Sequence, residues 1–305
     1  MPVLSGAKIL ITGPTGQVGE PVARALSAEN QVWGMARFGD PEARGRLEEA
    51  GVRTVAANLL TGDFAELPED FDHVLHFAVV KSWSDLGFDR DLAANVEGLG
   101  LLMSHCRNAR SFLHCSSTAV YQPNGRHPFA EGDPLGDHHR SLMPTYSICK
   151  IAAEAMARFG ARQWGLPTTV ARLNVPYGDN GGWPAFHLEM LMAGDAIPVH
   201  PDGSFYNPIH EDDIVATVPK LLDAAAVPAT IVNWAGGQTV SVAEWCAELA
   251  RLTGLESKFV DDPNALASVA VDTTRMHELI GLTSVDWRDG LRRMVATRHP
   301  ELQSL

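Results

Sequence analysis

A doubly wound parallel α/β sheet of Rossmann type, with a small C-terminal substrate-binding cap, is the fold this sequence predicts. Three observations carry that expectation. Short apolar runs alternate with helical periods through roughly the first half of the chain. A glycine-rich turn, Gly13 to Gly19, directly follows the first apolar run. Gly13, Arg37, Ala78, Ser117 and Val175 all fall at or just past the C-terminal ends of expected strands, where such sheets hold ligands.

In order, Lys8 to Thr12 reads as the first strand, and Val22, Ala23 and Leu26 begin the helical period after the glycines. Gly13 permits the tight turn, Gly16 lets the backbone approach a diphosphate, and Gly19 lets the helix pack closely on the sheet. The free N–H groups at the helix start, from Thr15 through Gln17 and Val18, then serve the phosphates of a dinucleotide. Gln31 to Ala36 is the second strand. An aspartate after it would hold the ribose 2′-hydroxyl of NAD; here Arg37 follows Ala36, and no carboxylate appears until Asp40. A small residue plus a guanidinium suits a 2′-phosphate, so NADP is favoured over NAD; a solvated arginine is the bland alternative.

Val52 to Ala56 is the third strand, with Asn58 and Leu59 beyond it. His73 to Val80 is the fourth, and Asp91 to Cys106 a helix through Leu92, Val96, Leu99 and Met103. Ser111 to Cys115 is the fifth strand, ending at Ser116-Ser117-Thr118. A helix from about Thr145 to Trp164 and a sixth strand, Thr168 to Leu173, complete a dinucleotide-binding domain over residues 1–175. Residues 176–305 are expected to be mainly the cap, with some segments returning to the core. Within them Ala185 to Ala193 and Val242 to Thr253 read as helices and Ile231 to Trp234 as a strand.

Tyr146 and Lys150 stand four apart on one helix face. A phenol alone titrates near pH 10, and a nearby ammonium favours the phenolate, bringing it towards use as a proton donor and acceptor. The twelve histidines form no ligand set: His138 and His139 are adjacent and read as surface loop residues, and no metal is expected. His210-Glu211-Asp212-Asp213 suits either a metal site or a polar lead-in to a helix. No GxSxG is present, so a serine acyl-transfer enzyme is not supported. A net charge of −13 argues against nucleic acid. No apolar run is long enough for a membrane span, the first residues lack a signal peptide's basic flank, and the four cysteines show no paired spacing. A cytoplasmic setting is expected.

With these residues in place, the chain resembles the extended short-chain dehydrogenase/reductase family, specifically its NAD-dependent epimerase/dehydratase group. Thr12 to Gly19 fits TGxxGxxG, and His76-Phe77-Ala78 fits the fourth-strand HxA. Asn95 to Gly98 fits NVxG, Ser116 to Tyr121 fits SSxxVY, Tyr146 to Lys150 fits YxxxK, and His210 to Asp213 fits the late HVxD element. The resemblance implies Ser117 on the reacting oxygen with Thr118 as understudy, Tyr146 as acid/base, Lys150 on the ribose, and Asn95 in support. It implies cofactor contacts at Asn58, Leu59, Ala78 and Pro176, substrate contacts at Val80, Tyr177 and Tyr206, and a homodimer built on the two helices that carry Met103, Ile151, Ala155 and Phe159. Three departures bear on substrate. Val175 stands where nucleotide-sugar members carry asparagine, unless a one-residue shift restores Asn174. No arginine precedes Ile209-His210, and Gln122 replaces a glycine. An NAD(P)-dependent dehydrogenase/reductase acting on a small secondary alcohol or ketone is therefore the first expectation. A nucleotide-sugar epimerase or dehydratase is the second, and a non-catalytic dinucleotide sensor the third.

Overall fold

The computed structural model describes residues 4–82 and 87–304. Six strands are β1 (Lys8–Thr12), β2 (Gln31–Ala36), β3 (Arg53–Ala56), β4 (His73–His76), β5 (Ser111–Ser117) and β6 (Thr168–Leu173). A later strand, Thr230–Trp234, joins them, and the order across the sheet is Thr230–Trp234, β6, β5, β4, β1, β2, β3. Every neighbouring pair is parallel. The winding reverses between β1 and β4, which opens a crevice at their C-terminal ends.

Covering both faces of this sheet requires strands that are apolar on both sides, and β6 is buried at every residue. Successive side chains alternate: Ile9 and Ile11 join one core, Leu10 the other. On Leu10's side lie α4 (Gly98–His105) and α5 (Tyr146–Trp164), through Leu99, Leu102, Ala153 and Ala157. On the other side lie α1 (Gly19–Ser27) and α7 (Glu211–Asp223), through Val22, Ala23, Ile214 and Val218. Residues after 176 thus return to the sheet, as α7 and as its edge strand. A third core gathers α6 (Trp183–Ala193), α8 (Val242–Thr253) and α10 (Trp287–Arg298) around Leu188, Trp245, Leu249 and Leu291. It also takes in Val120, Tyr121 and Phe129 from before residue 175. This lobe faces the crevice from above.

Two elements differ from their expected form. The helix expected over Asp91 to Cys106 runs without a break from Phe88 to His105, but as α3 (Phe88–Leu92), a wide π turn (Ala93–Glu97) and α4. Gly98 lies so close to Leu59 that a Cβ would come within 2.6 Å of its carbonyl oxygen, and the wide turn aims Asn95 at the chain leaving β4. β4 itself ends at His76, because the paired part of β1 ends opposite it at Thr12.

Candidate active site

The glycine turn is fixed by the fold before any ligand is considered. Gly13 adopts φ +68°, and a Cβ there would lie 2.9 Å from the Cα of Ala78. At Gly19 it would lie 2.2 Å from the Gly13 carbonyl oxygen. Gly16 is less confined, and with Gln17, Val18 and Gly19 it lines the crevice. Helix α1 starts with no side-chain cap; Glu20 N–H donates back to the Gly16 carbonyl at 2.9 Å and Pro21 has none, so the N–H groups of Gln17, Val18 and Gly19 are the ones left for an anion. The Gln17 amide donates to the Pro176 carbonyl at 2.8 Å, tying the turn to the chain beyond β6. Behind the turn, the Ala78 N–H donates to the Thr12 hydroxyl (3.2 Å), which lies 2.8 Å from His76 Nδ1. Burial pushes His76 down to about 3, so it is neutral there.

Tyr146, Lys150 and Glu154 form one stripe along α5, at the four-residue spacing of a helix face. Glu154 is buried against Arg172 of β6 in a bidentate pair of 2.9 and 2.8 Å, and it accepts from Ser116 at 2.6 Å. Ser116 thereby points into the protein, and its neighbour Ser117 lines the crevice. Lys150 donates to the Cys115 carbonyl at 2.6 Å, and its Nζ lies 6.0 Å from the Tyr146 ring centroid. A second ammonium, Lys81, is closer at 5.5 Å. Burial raises the Tyr146 phenol, while the charge of Lys81 and the Ser117 hydroxyl act to lower it. Burial lowers the Lys150 ammonium. Lys81 was not anticipated from sequence. Its only signal is its position just past β4, at the reversal of the sheet.

The other anticipated residues separate into three groups. Thr118, Pro176 and Tyr206 line the crevice together with Gly13, Ser117, Tyr146 and Lys150. Ala78 supports it from behind. Asn95, Val80, Tyr177, Asn58, Leu59, Thr15 and Arg37 are not on its lining. Asn95 clamps the backbone of Val80, accepting from its N–H at 2.8 Å and donating to its carbonyl at 2.9 Å; it shapes the loop and does not reach the reacting groups. Tyr177 is a correction: it is buried, and its hydroxyl donates to the Trp287 carbonyl at 3.3 Å. The Asn58 side chain accepts from Leu60 N–H, and Leu59 is packed under Gly98. Arg37 is exposed after β2, and Asp40 is committed to capping α2 (Pro41–Glu49) through the N–H groups of Glu42 and Ala43.

The register question at the end of β6 is resolved. Asn174 is buried, donating to the Val269 carbonyl at 2.6 Å and accepting from Val175 and Asn207 N–H, while Val175 lines the crevice. His210 caps α7 by accepting from Asp212 N–H, and Asp213 binds Ser284 and Val285 N–H, so the acidic run is a cap and a tie. Among the described residues no group of three or more His, Cys, Asp or Glu is placed to hold a metal. His138 and His139 are a second correction. They are not surface residues: His138 is buried and His139 lines the crevice beside Tyr146.

The cleft holds about 790 Å³. Opposite the glycine turn its wall is apolar, from Leu142, Met143, Trp183, Phe186, Tyr206, Leu266 and Val269. These come from separated stretches with no common motif, and sequence reasoning found only Tyr206. Lys81 and Lys150 are the cations on the lining, and among the described residues neither a carboxylate nor an arginine lines it. The uncapped helix, the glycine approach and this positive balance fit a dinucleotide.

A family model described as NAD dependent epimerase/dehydratase family matches residues 9–233. The chain is 23% identical over 267 residues to an uncharacterized UDP-glucose epimerase of Bacillus subtilis, covering 81% of this chain and 82% of that one. It is 30% identical over 194 residues to UDP-glucuronate 4-epimerase 1 of Arabidopsis thaliana, covering 58% of this chain and 44% of the relative. Among solved structures, UDP-glucuronic acid 4-epimerase from Bacillus cereus superposes with TM-score 0.83 at 18% identity, over 95% and 98% of the two chains.

Proposed function

We propose that this chain, which belongs to the NAD dependent epimerase/dehydratase family, is a nucleotide-sugar 4-epimerase that works through Ser117, Tyr146 and Lys150. One observation carries the reading: these three side chains share a single cleft with the Gly13–Gly19 turn. The names of the two curated relatives and of the solved neighbour support the substrate class. Ser117 holds the reacting oxygen, Tyr146 takes its proton and returns it, and Lys150, anchored on Cys115, holds the ribose and the phenol in place. Lys81 adds a second positive charge that favours the phenolate. The Gly13–Gly19 turn and Lys150 would hold a nicotinamide dinucleotide, which would supply reversible hydride acceptance and so would end each cycle unchanged.

A net dehydrogenase on an alcohol without a diphosphate is the second reading. It is favoured by the arginine-free cleft and by Tyr206, whose hydroxyl is already bound to the Ala267 carbonyl at 2.6 Å. Incubating the protein with NAD and UDP-glucose, UDP-glucuronate or UDP-N-acetylglucosamine separates the two. A 4-epimer appearing without net change at the nicotinamide absorbance band supports the epimerase. No conversion of these sugars, with stoichiometric NAD reduction by unphosphorylated alcohols, overturns it.

The cofactor is a nicotinamide dinucleotide. No free carboxylate follows β2 to exclude a 2′-phosphate, so NADP is accepted as well as NAD. Titration should show Arg37→Ala weakening NADP by roughly ten- to a hundred-fold and leaving NAD unchanged. Unchanged NADP affinity in that variant removes Arg37 from the site. A homodimer is supported by exposed Leu101 on α4 and by Ile148 and Phe159 on α5. Met103 is not part of that surface, being fully buried beneath Gly160. Light scattering at the mass of one chain would exclude the dimer.

A further inference from the structure

We propose that Gln17, besides offering its backbone N–H to the dinucleotide, is a positioning residue for the substrate: its side chain fixes the apolar wall of the cleft relative to the glycine turn. The inference rests on the reading of this cleft as the place where cofactor and sugar meet. The bond that carries it has a defined direction. Pro176 has no N–H and its carbonyl can only accept, so the Gln17 amide presents its nitrogen, at 2.8 Å. A second bond runs the other way, from the Asn180 amide to the Gln17 carbonyl, also at 2.8 Å. The two contacts join residues 159 and 163 positions apart in the chain. They tie the turn after β1 to a short hairpin, in which β7 (Pro176–Gly178) pairs with β8 (Gly181–Gly182).

The hairpin ends where the apolar wall begins. Gly182 has φ +113°, and a Cβ there would lie 2.5 Å from the Gln17 amide nitrogen and 2.6 Å from the Pro176 carbonyl oxygen. The hairpin therefore passes directly over that hydrogen bond. The next residue, Trp183, opens α6 and lines the cleft, with Phe186 one helical turn further on. Trp183 packs edge-on against Tyr206, with ring centroids 4.9 Å apart, and against Trp245 at 5.5 Å. The indole is thus set from two sides: aromatic packing joins it to the cap, and Gln17 joins it to the cofactor turn. Of the turn residues on the lining, Gly13, Gly16 and Gly19 carry no side chain and Val18 no side-chain donor, which leaves this tie to Gln17. A sugar held between the nicotinamide and Trp183 must fit the gap that the tie sets, so loosening it costs substrate binding. The phosphate contacts at the same residue are backbone N–H and survive.

The test compares the NAD-loaded wild type with Gln17→Ala, which keeps the backbone N–H and removes the tie. Hydrogen–deuterium exchange over residues 177–183 should quicken roughly three- to ten-fold, with the rest of the cap unchanged. For UDP-glucose, KM should rise roughly three- to ten-fold, while kcat and NAD affinity stay within about two-fold of wild type. The same substitution made in Trp183→Leu should change KM by less than about two-fold, because the wall it positions is already lost. Unchanged exchange in the hairpin overturns the proposal whether or not any sugar is turned over. A loss of NAD affinity as large as the rise in KM overturns it too, by making Gln17 a cofactor residue alone. So do fully additive effects of the two substitutions, which would mean that Gln17 does not act through Trp183. Should Gln17→Ala fold poorly, Asn180→Ala, which removes the exposed outer bond, carries the same comparison with an expected rise in KM of roughly two- to three-fold; an unchanged KM and hairpin exchange there overturn the proposal. Failure of the wild type to epimerise any UDP-sugar counts against the function proposed above, and the exchange and NAD measurements still decide this one.

Discussion

The two walls of the cleft are built in opposite ways. The wall of β1, β5 and α5 is local in sequence: one turn from Gly13 to Gly19 and one helical stripe from Tyr146 to Glu154 place most of its groups, and buried polar bonds fix them. The opposite wall draws Leu142, Trp183, Phe186, Tyr206 and Leu266 from distant stretches and is held by apolar packing. Moving a proton needs a few atoms at set distances, which demands particular residues at particular positions. Excluding water and accepting a sugar-sized body needs shape and apolar area, which many residue sets supply. A motif therefore records the first wall and leaves the second unrecorded.

Substitutions can separate the walls. The largest effect is expected at Tyr146→Phe, which should lower turnover by a factor on the order of 10² to 10⁴ with cofactor affinity nearly intact. Full activity in that variant on a confirmed substrate would remove the phenol from the chemistry. Glu154→Gln attacks the support of the same wall. It strands Arg172, whose side chain is 3% exposed, and is expected to cost about 3–5 kcal/mol in a denaturant titration. A loss below about 1 kcal/mol would mean that Arg172 finds water or another partner.

Acid reports on the histidines behind and around the site. Burial holds His76 at about 3 and His138 and His187 at about 4, and pushes His114 well below its ordinary value. The unfolded chain binds protons at these positions near pH 6.5, so between about 6.5 and 4 the unfolded state holds more protons than the folded one. Their contribution to stability is fully present above about 6.5 and is lost as pH falls towards the folded values. Each contributes a slope of about 1.4 kcal/mol per pH unit. Unfolding free energies measured from pH 7 to 4.5 should fall with proton uptake approaching one per histidine; a flat profile would show that water reaches these rings. The smallest effect is expected on the apolar wall. Phe186 is 61% exposed, and Phe186→Ala should raise KM roughly five- to ten-fold with kcat nearly unchanged. An equal loss in kcat would place Phe186 with the chemical wall.

Much of the fold was legible because its signals are local. β1, β2, β6 and α8 fall on the stretches their periodicity marks, and Gly13 and Gly19 are glycines because the backbone leaves no room for a Cβ. The sequence by itself determined the strand and helix stretches, the turn and the Tyr146–Lys150 stripe, since each depends on neighbours a few residues away. Tertiary structure alone decided which side chains meet across the cleft. Tyr177 and Asn174 look like site residues from their position, yet buried hydrogen bonds to Trp287 and Val269 turn them inward. His139 and Lys81 looked ordinary, yet the loops after β4 and before α5 bring both to Tyr146. The contacts of Tyr177 and Asn174 depend on where the chain returns after 110 and 95 residues, and those of Lys81 and His139 on the course of loops, which neither periodicity nor motif spacing encodes.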